Sequence, residues 1–154
     1  MGKQISSFTV LMADDDEDDC LIVKSAFQEI GFNHDLRFVA DGRELLDYLY
    51  NAGEFADPEI YPKPKLILLD LNMPRMDGRE ALATIKADPQ LQDIPVLILT
   101  TSKEEGDIAL SKQAGASSFL SKPEIFQDLT DMLSKFCVTI MHNPNIPFQV
   151  IGCR

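Results

Sequence analysis

Four consecutive aliphatic residues, Leu66 to Leu69, end in the carboxylate of Asp70 and lie between Pro64 and Pro74. A run of this length is too short for a helix, and its proline boundaries favour a strand that is buried on both faces. Asp70 then stands at the carboxyl end of a central parallel strand, where open α/β sheets bind their ligands. The run therefore predicts a parallel sheet with a reactive carboxylate at its functional edge.

Strand-like and helix-like patterns alternate along the rest of the chain. Short apolar runs at 8–13, 36–40, 94–99 and 117–121 predict four more strands, and apolar residues at helical spacing follow each of the five. This alternation is the signature of a doubly wound α/β fold, a flavodoxin-like sandwich of three layers. Right-handed crossovers then favour a five-stranded parallel sheet with the strand order 2-1-3-4-5.

Length and charge narrow the class of protein. The 154 residues suit one domain, which we expect over 1–137, and the extension 138–154 is too short for a DNA-binding output domain. The net charge of −11 argues against nucleic acid or an anionic membrane as a partner.

No signal-peptide core or membrane-spanning apolar run is visible, so a cytoplasmic protein is expected. Apolar stretches at 138–141 and 148–151 are expected to dock on the domain or on a second subunit.

A second pair of acids is expected beside Asp70. Asp14 and Asp15 directly follow the first apolar run, whereas the acids at 16–19 suit the start of a helix, where carboxylates complement the helix dipole. The first and third strands are neighbours at the switch point of this topology, so their carboxyl ends share one crevice. Three carboxylates in one crevice require a cation, and oxygen-only ligands favour a hard ion such as Mg²⁺.

Two further side chains are expected at the same edge. Thr100 ends the fourth strand and could donate its hydroxyl, and Lys122, followed by Pro123, ends the fifth strand and could neutralise a phosphoryl oxygen. Together with the acids they predict that Asp70 acts as a nucleophile toward a phosphoryl group, assisted by Mg²⁺ and Lys122.

The combined pattern resembles the receiver domain of the response-regulator family of bacterial two-component signalling, over about residues 8–136. The resemblance implies that Asp70 accepts a phosphoryl group from a phosphohistidine of a sensor histidine kinase. It also implies that Asp15, Asp70 and the backbone of Asn72 bind Mg²⁺, with Asp14 acting through water. Such a protein would be a signalling switch and not an enzyme.

The resemblance also implies a switch and an output surface. Phosphorylation would draw in the Thr100 hydroxyl, and the aromatic ring of Phe119 would swing inward, although Phe119 could equally be a plain core residue. The signal would leave through the fourth helix, fifth strand and fifth helix. A homodimer could form through that surface or through the carboxyl-terminal tail. The spacing of the elements is similar to that of stand-alone receivers that serve bacterial phytochromes.

Alternative functions remain open at this point. Within the family, the chain could be a terminal switch or an intermediate of a multistep phosphorelay. A phosphatase of the haloacid dehalogenase class uses a similar aspartate nucleophile, but it needs a second acid where this chain has Asn72. A flavodoxin-type module would need a phosphate-binding first loop, and the acids at 14–19 would repel a phosphate.

Overall fold

The computed structural model describes residues 9–31, 35–100, 105–116, 118–121, 127, 129–135 and 149–151. The strands are β1 (Thr9–Ala13), β2 (Asp35–Val39), β3 (Leu66–Leu69), β4 (Val96–Thr100), β5 (Ser118–Ser121) and β6 (Gln149–Ile151). The helices are α1 (Glu17–Glu29), α2 (Gly42–Leu49), α3 (Gly78–Ala87) and α4 (Glu105–Gln113), and residues 129–135 form a helical segment termed α5. A short 3₁₀ turn, Gly53–Phe55, follows α2.

The strands form one parallel sheet in the order β2-β1-β3-β4-β5-β6. The doubly wound α/β class is therefore confirmed, and β2, β1, β3 and β4 follow the predicted order. The predicted number of five strands is wrong, because β6 adds to the sheet beside β5, with Val150 opposite Phe119. The backbone N–H and C=O groups of a sheet edge favour such an addition. Within the tail segment at 148–151, expected to dock, Gln149–Ile151 thus forms a strand.

Two apolar layers cover the faces of the sheet. Alternate strand residues on one face pack against α2 and α3, and those on the other face pack against α1 and α5. The strands β1, β3 and β4 are buried along their whole length, as expected for parallel strands covered on both faces. Among the described residues, no helix is long and apolar enough to cross a bilayer.

The loop between β3 and α3 turns back tightly onto the end of β3. The backbone N–H of Gly78 donates to the carbonyl of Leu71 at 3.0 Å, and the Asp77 carboxylate caps α3 by accepting from the N–H groups of Arg79 and Glu80. A Cβ atom on Gly78 would overlap the carbonyl oxygen of Asp70 and lie 2.8 Å from the Leu71 Cα. Only glycine allows α3 to start this close to the strand end.

We predict that Gly78→Ala lowers the free energy of unfolding by at least about 2 kcal/mol, because backbone atoms must move to admit the methyl group. The matched control is Gly106→Ala in α4, where a Cβ atom meets nothing within 4 Å. Since alanine favours a helix over glycine, the control should gain roughly 0.5–1 kcal/mol. Urea titration measures both changes, and equal stability of the two variants would contradict the close approach.

Candidate functional site

The carboxyl ends of β1 and β3 bring three acids together. Ala13 pairs with Leu69 in the sheet, so Asp14 and Asp70 leave adjacent strands side by side. One carboxylate oxygen from each of Asp14, Asp15 and Asp70 lies within 4.8 Å of the others. The Asp70 N–H donates to the Ala13 carbonyl at 3.0 Å, which fixes the base of the cluster.

The three acids differ in exposure. Asp14 is 3% exposed and Asp70 is 6% exposed, whereas Asp15 is open to solvent. Asp14 accepts a hydrogen bond from the Asp16 N–H at 2.9 Å, and Asp70 accepts one from the Asn72 N–H at 3.4 Å. Like charges at this separation repel one another, and a bound cation removes that repulsion. An oxygen-only donor set of this kind fits a hard divalent ion.

Of three other predicted site residues, the structure describes Thr100 and Phe119 but not Lys122. Thr100 ends β4 with no solvent exposure, and the pairing of Leu69 with Ile98 puts it one residue beyond the rung of Asp70 at the same edge. Phe119 is fully buried in the core layer that contacts α2 and α3. Lys122 follows β5 and lies outside the described residues.

Sequence reasoning missed an ion pair between two loops of this edge. The Arg75 guanidinium donates to both carboxylate oxygens of Asp41, with Nε–Oδ2 at 2.7 Å and Nη2–Oδ1 at 3.2 Å. Burial by itself raises the pKa of Asp41, but the hydrogen bonds from Arg75 and Glu44 and the charge of Arg75 outweigh it and lower the pKa below 3.8. Asp41 is therefore ionised at neutral pH and holds Arg75 as a carboxylate.

A second unforeseen ion pair joins α3 to α4. Arg79 donates from Nε and Nη2 to the two carboxylate oxygens of the buried Asp107, both at 2.8 Å, and this contact raises the pKa of Arg79. Its Nη1 also donates to the carbonyl of Leu71 at 3.4 Å. Leu71, which follows Asp70, is thus linked to α4 through the side chain of Arg79.

No local pattern could have revealed either pair. The partners are separated by 34 residues in Asp41–Arg75 and by 28 in Arg79–Asp107, and isolated charges in loops and at helix starts are common. The dipeptide Asp41-Gly42 indicates the start of a helix, but it does not indicate that Arg75 pairs with Asp41.

Comparison with known proteins agrees with this geometry. The family described as "Response regulator receiver domain" matches residues 10–134. The response regulator Rcp1 of Synechocystis sp. (strain ATCC 27184 / PCC 6803 / Kazusa) is 38% identical over 124 residues, which cover 80% of this chain and 82% of Rcp1.

Two solved structures extend the comparison. The phosphorylated cyanobacterial phytochrome response regulator RcpA has a TM-score of 0.80 and 33% identity, covering 89% of this chain and 96% of RcpA. The Mn²⁺-bound form of Rcp1 has a TM-score of 0.78 and 34% identity, covering 91% of this chain and 99% of that one. The resemblance inferred from the sequence motifs is therefore confirmed.

We predict that Asp70→Asn stabilises the metal-free protein by on the order of 1 kcal/mol, because it removes one of three clustered charges. Added Mg²⁺ should raise the thermal midpoint of the wild type and raise that of Asp70→Asn much less. Calorimetric melting in EDTA and in Mg²⁺ measures both effects.

The charge-matched control is Asp93→Asn, at an exposed acid in the loop before the amino end of β4. It should keep the full Mg²⁺-induced rise of the wild type. An equal Mg²⁺ response in Asp70→Asn and the wild type would contradict a metal site in the acid cluster.

Proposed function

We propose, from the premise that the chain belongs to the response regulator receiver domain family, that it is a single-domain response regulator phosphorylated on Asp70 by a sensor histidine kinase. Proteins of this family are signalling proteins and not enzymes. The observation that carries the proposal is the cluster of Asp14, Asp15 and Asp70 at the carboxyl ends of β1 and β3. Two of these acids are buried, and a bound cation offsets the free-energy cost of burying their charges.

The reaction is a transfer between two nucleophiles. A carboxylate oxygen of Asp70 forms a bond to phosphorus as the N–P bond of the kinase phosphohistidine breaks, and the histidine nitrogen keeps the electron pair. The proposed Mg²⁺ ligands are Asp15, Asp70 and the backbone of Asn72, with Asp14 acting through water. When bound, Mg²⁺ neutralises charge on the phosphoryl group.

The protein's own residues orient and receive that group. The Asn72 N–H donates to the Asp70 carboxylate at 3.4 Å and so helps to orient the nucleophile. The Thr100 hydroxyl, at the same edge, is proposed to donate to a phosphoryl oxygen, and Lys122 is proposed to meet another as a positive charge. The burial of Asp70 limits the access of competing water to its carboxylate.

The signal is proposed to leave through α4, β5 and α5. Movement of Thr100 toward the phosphoryl group would change the packing around Phe119, whose switching role stays a prediction. Because β6 pairs with β5, the strand Gln149–Ile151 is proposed to belong to this output surface, and a homodimer through the surface or the tail is part of the proposal. By analogy with RcpA, the partner is proposed to be a cytoplasmic kinase of the phytochrome type.

We predict that acetyl phosphate with Mg²⁺ adds one phosphoryl group to the wild type and none to Asp70→Asn, since Asp70 is the proposed nucleophile of the three-acid cluster formed by the described residues. Intact-mass spectrometry after acid quenching measures the adduct. Asp93→Asn is the control and should be labelled like the wild type. Labelling of Asp70→Asn, or a wild type that takes up no phosphoryl group, would contradict the proposed function.

A further inference from the structure

The loop between β3 and α3 contains a residue in an unfavourable backbone conformation. Arg75 has a φ of 63°, a left-handed value that is costly for a long side chain. It lies five residues after Asp70 and three after Asn72. A contact from outside the loop is needed to hold such a conformation.

That contact is the bidentate ion pair with Asp41, on the loop between β2 and α2. Asp41 is itself fixed, because it is buried and its Oδ1 caps α2 by accepting from the Glu44 N–H at 2.8 Å. The next residues extend the junction, as the Gly42 N–H donates to the Met76 carbonyl at 3.0 Å. A Cβ atom on Gly42 would lie only 2.5 Å from that carbonyl oxygen. The two loops are therefore in contact at two consecutive pairs of residues, Asp41–Arg75 and Gly42–Met76, and the second contact is too close to admit a side chain on Gly42.

The other end of the loop is fixed as well. The Leu71 carbonyl accepts from the Gly78 N–H and from Nη1 of Arg79. Only the short arch 72–74 lies between these two anchors. The position of Asn72, whose N–H reaches Asp70, is thus set by Leu71 on one side and by Arg75 on the other.

We propose that Arg75, held by Asp41, is a positioning residue for divalent metal binding. It fixes the arch 72–74 so that the backbone of Asn72 stays beside the acid cluster. This inference rests on the proposed function, which assigns Asn72 as a metal ligand. The Arg75 side chain is 58% exposed and that of Asp41 is 8% exposed, so the pair ties a surface side chain of the loop to a buried, fixed carboxylate.

The direction of the change in Mg²⁺ affinity distinguishes a positioning role from a purely electrostatic one. Arg75 is a cation near a cation site, so removal of its charge alone would tighten Mg²⁺ binding. Loss of positioning would weaken Mg²⁺ binding instead. We expect Arg75→Ala to raise the Mg²⁺ dissociation constant roughly tenfold, as loss of other groups that orient metal ligands does.

Isothermal titration calorimetry with Mg²⁺ alone measures this without any phosphoryl transfer. Arg43→Ala is the charge-matched control, since Arg43 is exposed at the start of α2 and makes none of the ion pairs found among the described residues. It should bind Mg²⁺ as the wild type does or slightly more tightly. Unchanged or tighter binding by Arg75→Ala would overturn the proposal.

Two further variants separate positioning from folding. Arg75→Gly adopts a positive φ freely, so its thermal midpoint should exceed that of Arg75→Ala while its Mg²⁺ binding stays equally weak. Asp41→Asn keeps an oxygen for the cap of α2 and removes the charge, and combining it with Arg75→Ala should weaken binding no further than either change alone. Wild-type Mg²⁺ binding by Arg75→Gly would overturn the proposal.

The acetyl phosphate assay distinguishes a failure of this inference from a failure of the proposed function. If the wild type is labelled and Arg75→Ala needs more Mg²⁺ but reaches a similar rate at saturation, both proposals are supported. If the wild type is labelled and Arg75→Ala has the same Mg²⁺ requirement, this inference alone fails. If the wild type is not labelled at any Mg²⁺ concentration, the proposed function fails and this inference fails with it.

Discussion

The parallel pairing of β1 with β3 is the constraint on which the rest of the site depends. Both strands are buried on both faces, so a shift in their pairing would displace a whole set of aliphatic side chains from the core. That register sets Ala13 opposite Leu69, and Asp14 and Asp70 follow at the next position of each strand. Hydrophobic burial in the sheet thus stabilises an arrangement of acids that would otherwise separate by repulsion.

The loops around this edge are held by contacts between distant parts of the chain. Gly78 lets α3 begin against the end of β3, Arg75 ties the loop to Asp41, and Arg79 ties it to Asp107 on α4. The loop that follows Asp70 is therefore held in place near both of its ends. The Arg79–Asp107 contact also gives the neighbourhood of Asp70 a direct physical link to the surface through which the signal is proposed to leave.

Sequence reasoning succeeded where a local pattern carried the information. The aliphatic run before Asp70 and the run before Asp14 are strong strand signals, and parallel topology alone then predicts that the acids meet. It failed for β6, because three residues give no periodic pattern and their place in the sheet depends on pairing with β5, about thirty residues earlier in the chain. It also failed for the partners of Asp41 and Arg79, because an ion pair across about thirty residues depends on the final packing of the loops.

The central claim is that the acids at the ends of β1 and β3 bind one divalent ion beside Asp70. Anomalous diffraction from crystals grown with Mn²⁺ tests it most directly, because the ion's position is read without any assay of function. The account predicts a single anomalous peak within coordination distance of the carboxylates of Asp15 and Asp70 and the carbonyl of Asn72. Absence of a peak from this cluster at saturating Mn²⁺, or a sole peak elsewhere, would contradict it.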